Sequence, residues 1–116
     1  MTNPKIATAS SDRYTYKLYV PSQRTYDVRH HLDTAIAAAG GCTIYLASGS
    51  WIAPSGDRIN EPVDVYEFLA TQDQAHTVRN HLRTVVKALL EAGEQEVLLV
   101  DSLPKVITTS FSLTNP

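Results

Sequence analysis

The stretch that decides the fold runs from Cys42 to Phe68 and has the sequence CTIYLASGSWIAPSGDRINEPVDVYEF. Both of its ends are rich in β-branched and aromatic residues, which pack well on a pleated surface. Between them, the Pro-Ser-Gly-Asp segment at 54–57 favours a chain reversal. The stretch therefore predicts a long β-hairpin with arms at 42–50 and 59–70. The segment between the arms contains Trp51, the only tryptophan of the chain.

A strand and a helix are predicted on each side of this hairpin. Alternating side chains over 14–20 predict a first strand that ends at Pro21. A nearly continuous apolar segment at 96–100 predicts a last strand in the interior of a sheet. Apolar residues at helical spacing predict the two helices, the first ending at Gly40 and the second closed by Gly93. Their apolar stripes are Val28, Leu32, Ala35, Ile36 and Ala39, and Val78, Leu82, Val85, Val86 and Leu89.

The order strand, helix, strand, strand, helix, strand predicts an α+β ferredoxin-like sandwich. Right-handed crossovers give a four-stranded antiparallel sheet with both helices on one face. Lys105–Phe111 is predicted to add an extra C-terminal edge strand that pairs within or between subunits, after a break at 101–104. We expect a disordered arm over 1–12, a single domain over 13–111 and a loose tail over 112–116.

Composition restricts the classes of partner. The chain has 116 residues, of which 43% are hydrophobic and 19% charged, and its formal net charge is −2. A basic surface for nucleic acid is not expected, and no apolar run approaches the roughly 20 residues that span a bilayer. One cysteine and no secretory signal pattern predict a cytoplasmic protein.

Two helices cover only one face of a four-stranded sheet, so the other face needs a partner. We expect that open face to present Tyr19, Tyr45 and Tyr66, together with polar neighbours. The polar neighbours are Lys17, Thr43 and Asp64. Such a patch predicts a homo-oligomer, either a dimer or a trimer. The more specific alternative is a small-molecule cleft, which could lie at the boundary between subunits.

The sequence contains no nucleophile elbow, phosphate-binding loop or zinc motif, so no catalytic residue, metal or cofactor is predicted. The candidates for ligand binding or interface contacts are Trp51, Arg58 and Glu61 in the hairpin. Glu94–Glu96 and Asp101 flank the last strand and are weaker candidates. For each of them a structural role is the competing explanation.

The spacing of several short matches resembles a small bacterial family of unknown function. The matches run from Gly49-x-Trp51 through Gly56 and Glu61 to Gln95-Glu96-x-Val-Leu and Asp101. More broadly, a βαββαβ chain with an elongated central hairpin is similar to the PII signalling proteins and to CutA. That resemblance implies a trimer with small-molecule or metal sites between subunits. The hairpin lacks the length and basic residues of a PII nucleotide site, and the chain lacks a metal set like that of CutA.

The favoured hypothesis is an oligomeric PII/CutA-like binding or regulatory protein rather than an enzyme. It would recognise a small molecule or a protein at subunit interfaces through the hairpin. One alternative is a small ferredoxin-like enzyme, of the cofactor-independent monooxygenase or isomerase type, with a pocket between sheet and helices that contains His31 or His81. The other is a structural interaction module that uses its edge strand.

Overall fold

The computed structural model describes residues 11–107, with side chains described from 13 to 102. The elements follow the predicted order, and their sheet is antiparallel with strand order β2-β3-β1-β4. The prediction of an α+β ferredoxin-like fold with a four-stranded sheet and two helices is confirmed. The elements are β1 (Ser11–Pro21), a 3-10 turn (Ser22–Arg24), α1 (Thr25–Ala39), β2 (Thr43–Ile52), β3 (Arg58–Ala70), α2 (Gln72–Glu91) and β4 (Leu98–Ile107).

The core lies between the two central strands and the helices. Leu18 and Phe68 from β1 and β3 are fully buried, as are Leu32 of α1 and Leu82 of α2. The apolar stripes predicted for the helices face this core, because residues three and four apart share one side of a helix. Within the described residues, neither α1 nor α2 combines the length and the hydrophobicity that a membrane span requires.

The helix ends follow the local sequence. The Thr71 side chain accepts from the backbone N–H of Gln74, and the Gln74 side chain accepts from the backbone N–H of Thr71. This reciprocal pair is a capping box, and it satisfies two donors that the start of α2 would otherwise leave free. Gly40 ends α1 with a φ of 80°, a left-handed conformation that glycine adopts without a Cβ clash.

The hairpin extends beyond the rest of the sheet. β2 and β3 pair continuously from Thr43–Glu67 to Ile52–Arg58. β1 reaches β3 only as far as the pair Pro21–Val63, so the segment 58–62 of β3 has β2 as its only strand partner in the described chain. The loop at 53–57 closes with Gly56 at a φ of 91°. The hairpin therefore projects from one end of the sheet.

The last strand differs from its prediction in two ways. Lys105–Ile107 continues β4 and pairs with β1, so a separate extra strand does not begin at Lys105. The ladder passes the predicted break with a register shift between Arg13 and Thr15, and Pro104 is tolerated because β4 is an edge strand. The prediction that this strand lies in the interior of the sheet is wrong, because β4 is an edge strand in the sheet of a single chain. Residues 108–111, the tail and the N-terminal segment 1–10 lie outside the described residues.

The placement of Tyr66 on the open face is wrong. Tyr66 lies opposite Leu18 and Ile44, is 6% exposed and belongs to the core cluster. Asp64 shares that face, since side chains two apart in a strand point the same way. The strand alternation places Val63 and Val65 on the open face instead of Asp64 and Tyr66.

Candidate functional site

A groove lies where β1 ends between its two neighbouring strands. β1 stops at Pro21 opposite Val63, while β3 continues in the projecting hairpin. On the other side of β1, β4 begins at Leu98 opposite Tyr19. The missing continuation of β1 leaves a space of about 530 Å³ between the hairpin and the loop that joins α2 to β4. Its lining residues are Trp51, Glu61, Gly93, Glu94, Gln95 and Glu96.

The hairpin wall owes its shape to strand alternation. Trp51 pairs with Ile59 and Gly49 with Glu61, so these four residues share one face of the ribbon. A Cβ at position 49 would lie 3.3 Å from the Val63 Cγ2 atom, so a larger residue there would require Val63 to shift by a few tenths of an ångström. The arrangement places the half-exposed Trp51 ring and the Glu61 carboxylate on the same wall.

The opposite wall is held in place by an ion pair. The Arg24 Nε atom donates to the Glu94 carboxylate at 3.0 Å, and Arg24 Nη1 lies 3.6 Å from the carboxylate of Asp27. The hydrogen bond to Glu94 raises the pKa of Arg24 above its ordinary value. Gly93 makes room for the guanidinium, since a Cβ there would lie 3.1 Å from Arg24 Nη2. The loop is thereby tied to the start of α1.

A second polar contact fixes the base of the hairpin. The Asp64 carboxylate accepts from the Ser22 hydroxyl at 2.7 Å and from the Thr25 hydroxyl at 2.6 Å. Both donors lie where the chain leaves β1 and enters α1. Charge-assisted hydrogen bonds are short and stronger than neutral ones. Asp64 therefore connects β3 to the helix layer at the end of the sheet that carries the groove.

The six predicted site residues divide among four places. Trp51 and Glu61 line the groove together. Arg58 lies on the other face of the hairpin, where its Nη2 donates to the Ser50 hydroxyl at 3.3 Å. Tyr19 and Tyr45 are on the open sheet face, on either side of the fully buried Val65. Tyr66 is in the core, as described above.

The second wall of the groove consists of residues that the sequence indicated only as weaker candidates. Gln95 and Glu96 belong to the short matches quoted above, and the structure brings them to the same groove as Trp51 and Glu61. The role of Arg24 was missed, although its position just after β1 was the available signal. A residue there emerges at the end of the sheet where β4 begins, within reach of Glu94.

The strand β2 carries an apolar surface that the chain leaves exposed. Tyr45 and Trp51 project from its open face, and Ile44, Leu46 and Ile52 project from its other face. The exposed fraction of Leu46 is 80%. An apolar strand that is exposed on both faces is unusual, because moving apolar side chains out of water lowers the free energy.

The region between sheet and helices is occupied by packed side chains. Tyr16, Tyr66 and Phe68 lie there among the buried residues of both helices. His31 and His81 are half-buried on α1 and α2. This packing gives no support to the alternative that places a catalytic pocket beside one of these histidines. Across residues 13–102, no three His, Cys, Asp or Glu side chains form a group that could hold a metal ion.

Comparisons with known proteins find structural similarity alone. No family model matches the chain, and no curated protein sequence matches it. CutA from Synechococcus elongatus PCC7942 is similar with a TM-score of 0.53 and 13% identity, over 84% of this chain and 82% of CutA. A phage SAM lyase in complex with S-methyl-5'-thioadenosine is similar with a TM-score of 0.53 and 11% identity, over 97% of this chain and 100% of the lyase. At these identities the likeness shows the fold, in agreement with the broad resemblance to CutA.

Proposed function

We propose that this protein is an oligomeric small-molecule-binding protein whose ligand occupies the groove at the end of β1. The observation that carries the proposal is that Trp51 and Glu61 of the hairpin line the same groove as Glu94–Glu96 of the α2–β4 loop. Binding sites are concave and combine apolar area with a few placed polar groups. The volume of about 530 Å³ is in the range of pockets that hold small molecules.

Oligomer formation is supported by the composition of the edge strand β2. Edge strands of monomeric proteins usually carry charges, prolines or bulges that prevent pairing with other chains. β2 has the sequence TIYLASGSWI, which contains no charged residue and no proline. Its ladder to β3 is continuous, without a bulge. The strand is therefore suited to pairing with another copy.

The direction of the strands indicates which surface that other copy offers. Each strand is antiparallel to its neighbours in the order β2-β3-β1-β4, so β2 and β4 run in opposite directions at the two edges. A rotation about an axis along the strands would place β2 of one copy antiparallel to β4 of the next. Leu98 and Val100 of β4 are exposed apolar residues that such pairing would cover. Head-to-tail pairing of this kind forms a small ring, such as the trimer implied by the resemblance, when successive rotations close on the first copy.

The same arrangement would extend the groove. Glu96, Val97 and Leu98 line a shallow cleft of about 350 Å³ at the start of β4, next to the groove. In the proposed ring this cleft faces the projecting hairpin of the neighbouring copy. A ligand in the groove would then contact two subunits.

The test combines binding with assembly. A thermal-shift panel of nucleosides, amino acids, amines and small carboxylic acids should contain a compound that raises the melting temperature, since ligands of the native state stabilise it. The same compound should change the fluorescence of Trp51, the sole tryptophan. Glu61→Ala should abolish both effects, and Tyr26→Ala, on the exposed face of α1, should leave them unchanged. Absence of any hit, or a hit that Glu61→Ala retains, would overturn the proposal.

A second candidate function is an enzyme that acts on SAM in the same groove. It is favoured by the similarity to the phage SAM lyase, which spans 97% of this chain and all of the lyase. Incubation of the protein with SAM, followed by chromatography for S-methyl-5'-thioadenosine, tests it directly. Formation of that product, lost in Glu61→Gln, supports the enzyme. No product above a protein-free control excludes it.

A further inference from the structure

We propose that the ligand of this groove is an organic cation, held against the Trp51 ring by the carboxylates of Glu61 and Glu96. This inference rests on the proposed function and adds the chemical class of the ligand. It is carried by the cavity itself, which places an exposed aromatic ring on one wall and carboxylates on both walls.

The charges around the groove favour a cation. Its ionisable lining residues are Glu61, Glu94 and Glu96. Arg24 is held by Glu94 and Asp27, so that its charge is already balanced. Among the ion pairs of residues 13–102, none involves Glu61 or Glu96. A ligand carrying phosphate or carboxylate would meet a surface of its own sign, whereas a cation would be attracted.

The aromatic wall favours an organic cation over a hydrated metal ion. Trp51 is 51% exposed although it is the largest apolar side chain of the hairpin. An indole ring attracts a cation over its face, and quaternary ammonium groups, which lose little hydration on binding, are commonly recognised in this way. The carboxylates come from two separate walls, the hairpin and the α2–β4 loop. Such spacing suits a molecule with a charged group and an apolar body.

A matched pair of probes isolates the charge. Choline and 3,3-dimethylbutan-1-ol have nearly the same shape, and only choline carries the positive charge. Isothermal titration should give choline an affinity at least about tenfold higher than its neutral isostere, which corresponds to roughly 1.4 kcal/mol. Benzyltrimethylammonium, with a larger apolar body, should bind more tightly than choline.

Variants assign the effect to the groove. Glu61→Gln and Glu96→Gln should each reduce choline affinity several-fold while leaving the neutral alcohol unchanged. Glu91→Gln is the matched control, because Glu91 is an exposed carboxylate in the last turn of α2 that does not line the groove. Trp51→Phe should retain part of the affinity and Trp51→Leu should lose it.

Several outcomes would overturn the inference. These are equal binding of the alcohol and choline, tighter binding of inorganic phosphate or calcium ions than of choline, and no binding of either ammonium compound. The proposed function is judged separately by the wider panel. A neutral or anionic compound that changes Trp51 fluorescence and depends on Glu61 would preserve the binding site and reject only its cationic ligand.

Discussion

Two regions of this chain have similar apolar sequences and opposite surroundings. We call β1, residues 63–70 of β3 and the two helices the covered half, and β2 with residues 58–62 of β3 the uncovered half. In the covered half, Leu18, Val20 and Phe68 are fully buried. In the uncovered half, Leu46 and Ile52 are exposed, although β2 is as apolar as β1. The apolar content of a strand therefore indicates that its surface will be buried. It does not indicate whether the same chain or another molecule covers that surface.

The first test uses a matched pair of leucines, one from each region. Leu82→Ala, in the covered half, should lower the free energy of unfolding by about 2–5 kcal/mol, because it removes contacts and leaves a cavity. Leu46→Ala should change it by less than about 0.5 kcal/mol in dilute, dissociated protein. Urea unfolding measures both values. At higher concentration the midpoint of the native chain should rise through association, and Leu46→Ala should weaken that rise.

The second test acts where the two regions join. Asp64→Ala removes the acceptor of the Ser22 and Thr25 hydroxyls and should cost about 1.5–3 kcal/mol of unfolding free energy. Asp57→Ala is the control, since Asp57 accepts from Ser55 within the exposed hairpin loop and should have a small effect. Equal losses for the two variants in urea unfolding would contradict the role of Asp64 as the connection.

The third test uses two glycines with similar backbone conformation. Gly40 and Gly56 have φ values of 80° and 91°, and a Cβ at either would meet no atom within 4 Å. Alanine should therefore introduce similar local strain, about 1–2 kcal/mol, at each site. Gly40→Ala should lower global stability by that amount. Gly56→Ala should instead raise hydrogen exchange in the hairpin with little global effect, provided that the hairpin opens independently of the covered half.

The smallest effect concerns alkaline pH. Burial raises the pKa of the Tyr66 phenol above 10.0, with smaller contributions from Asp64, Cys42 and Asp33. Because the folded pKa is the higher one, the contribution to stability is complete below about pH 10 and is lost as pH rises through the folded pKa. Tyr66→Phe should therefore lose less stability than the native chain between neutral pH and about pH 11. Tyr45→Phe, on the hairpin, is the control for urea unfolding at both pH values.

The sequence predicted what depends on local patterns and missed what depends on register. The element order and the stop at Gly40 follow from spacing and residue type, and both are present. The face assigned to Tyr66 was wrong, since a shift of one residue moves every side chain of a strand to the other face.

The groove shows the same division between local and distant information. Trp51 and Glu61 were identifiable because they share one hairpin. Their proximity to Gly93–Glu96 depends on where β1 ends and β4 begins, and the register of two strand pairs determines that distance. The pattern of a single sequence does not reveal such long-range pairing. The proximity of the α2–β4 loop to Trp51 and Glu61 was therefore not predictable from the sequence.

Light scattering on the native protein and on Leu46→Lys determines whether a second copy of the chain covers β2. We predict a native mass that is a small multiple of the 12.8 kDa chain. Leu46→Lys, which places a charge on the exposed edge strand, should give a folded monomer of 12.8 kDa, with folding checked by circular dichroism. A native protein that remains monomeric at high concentration, or a Leu46→Lys variant with the native mass, would show that no second copy covers β2.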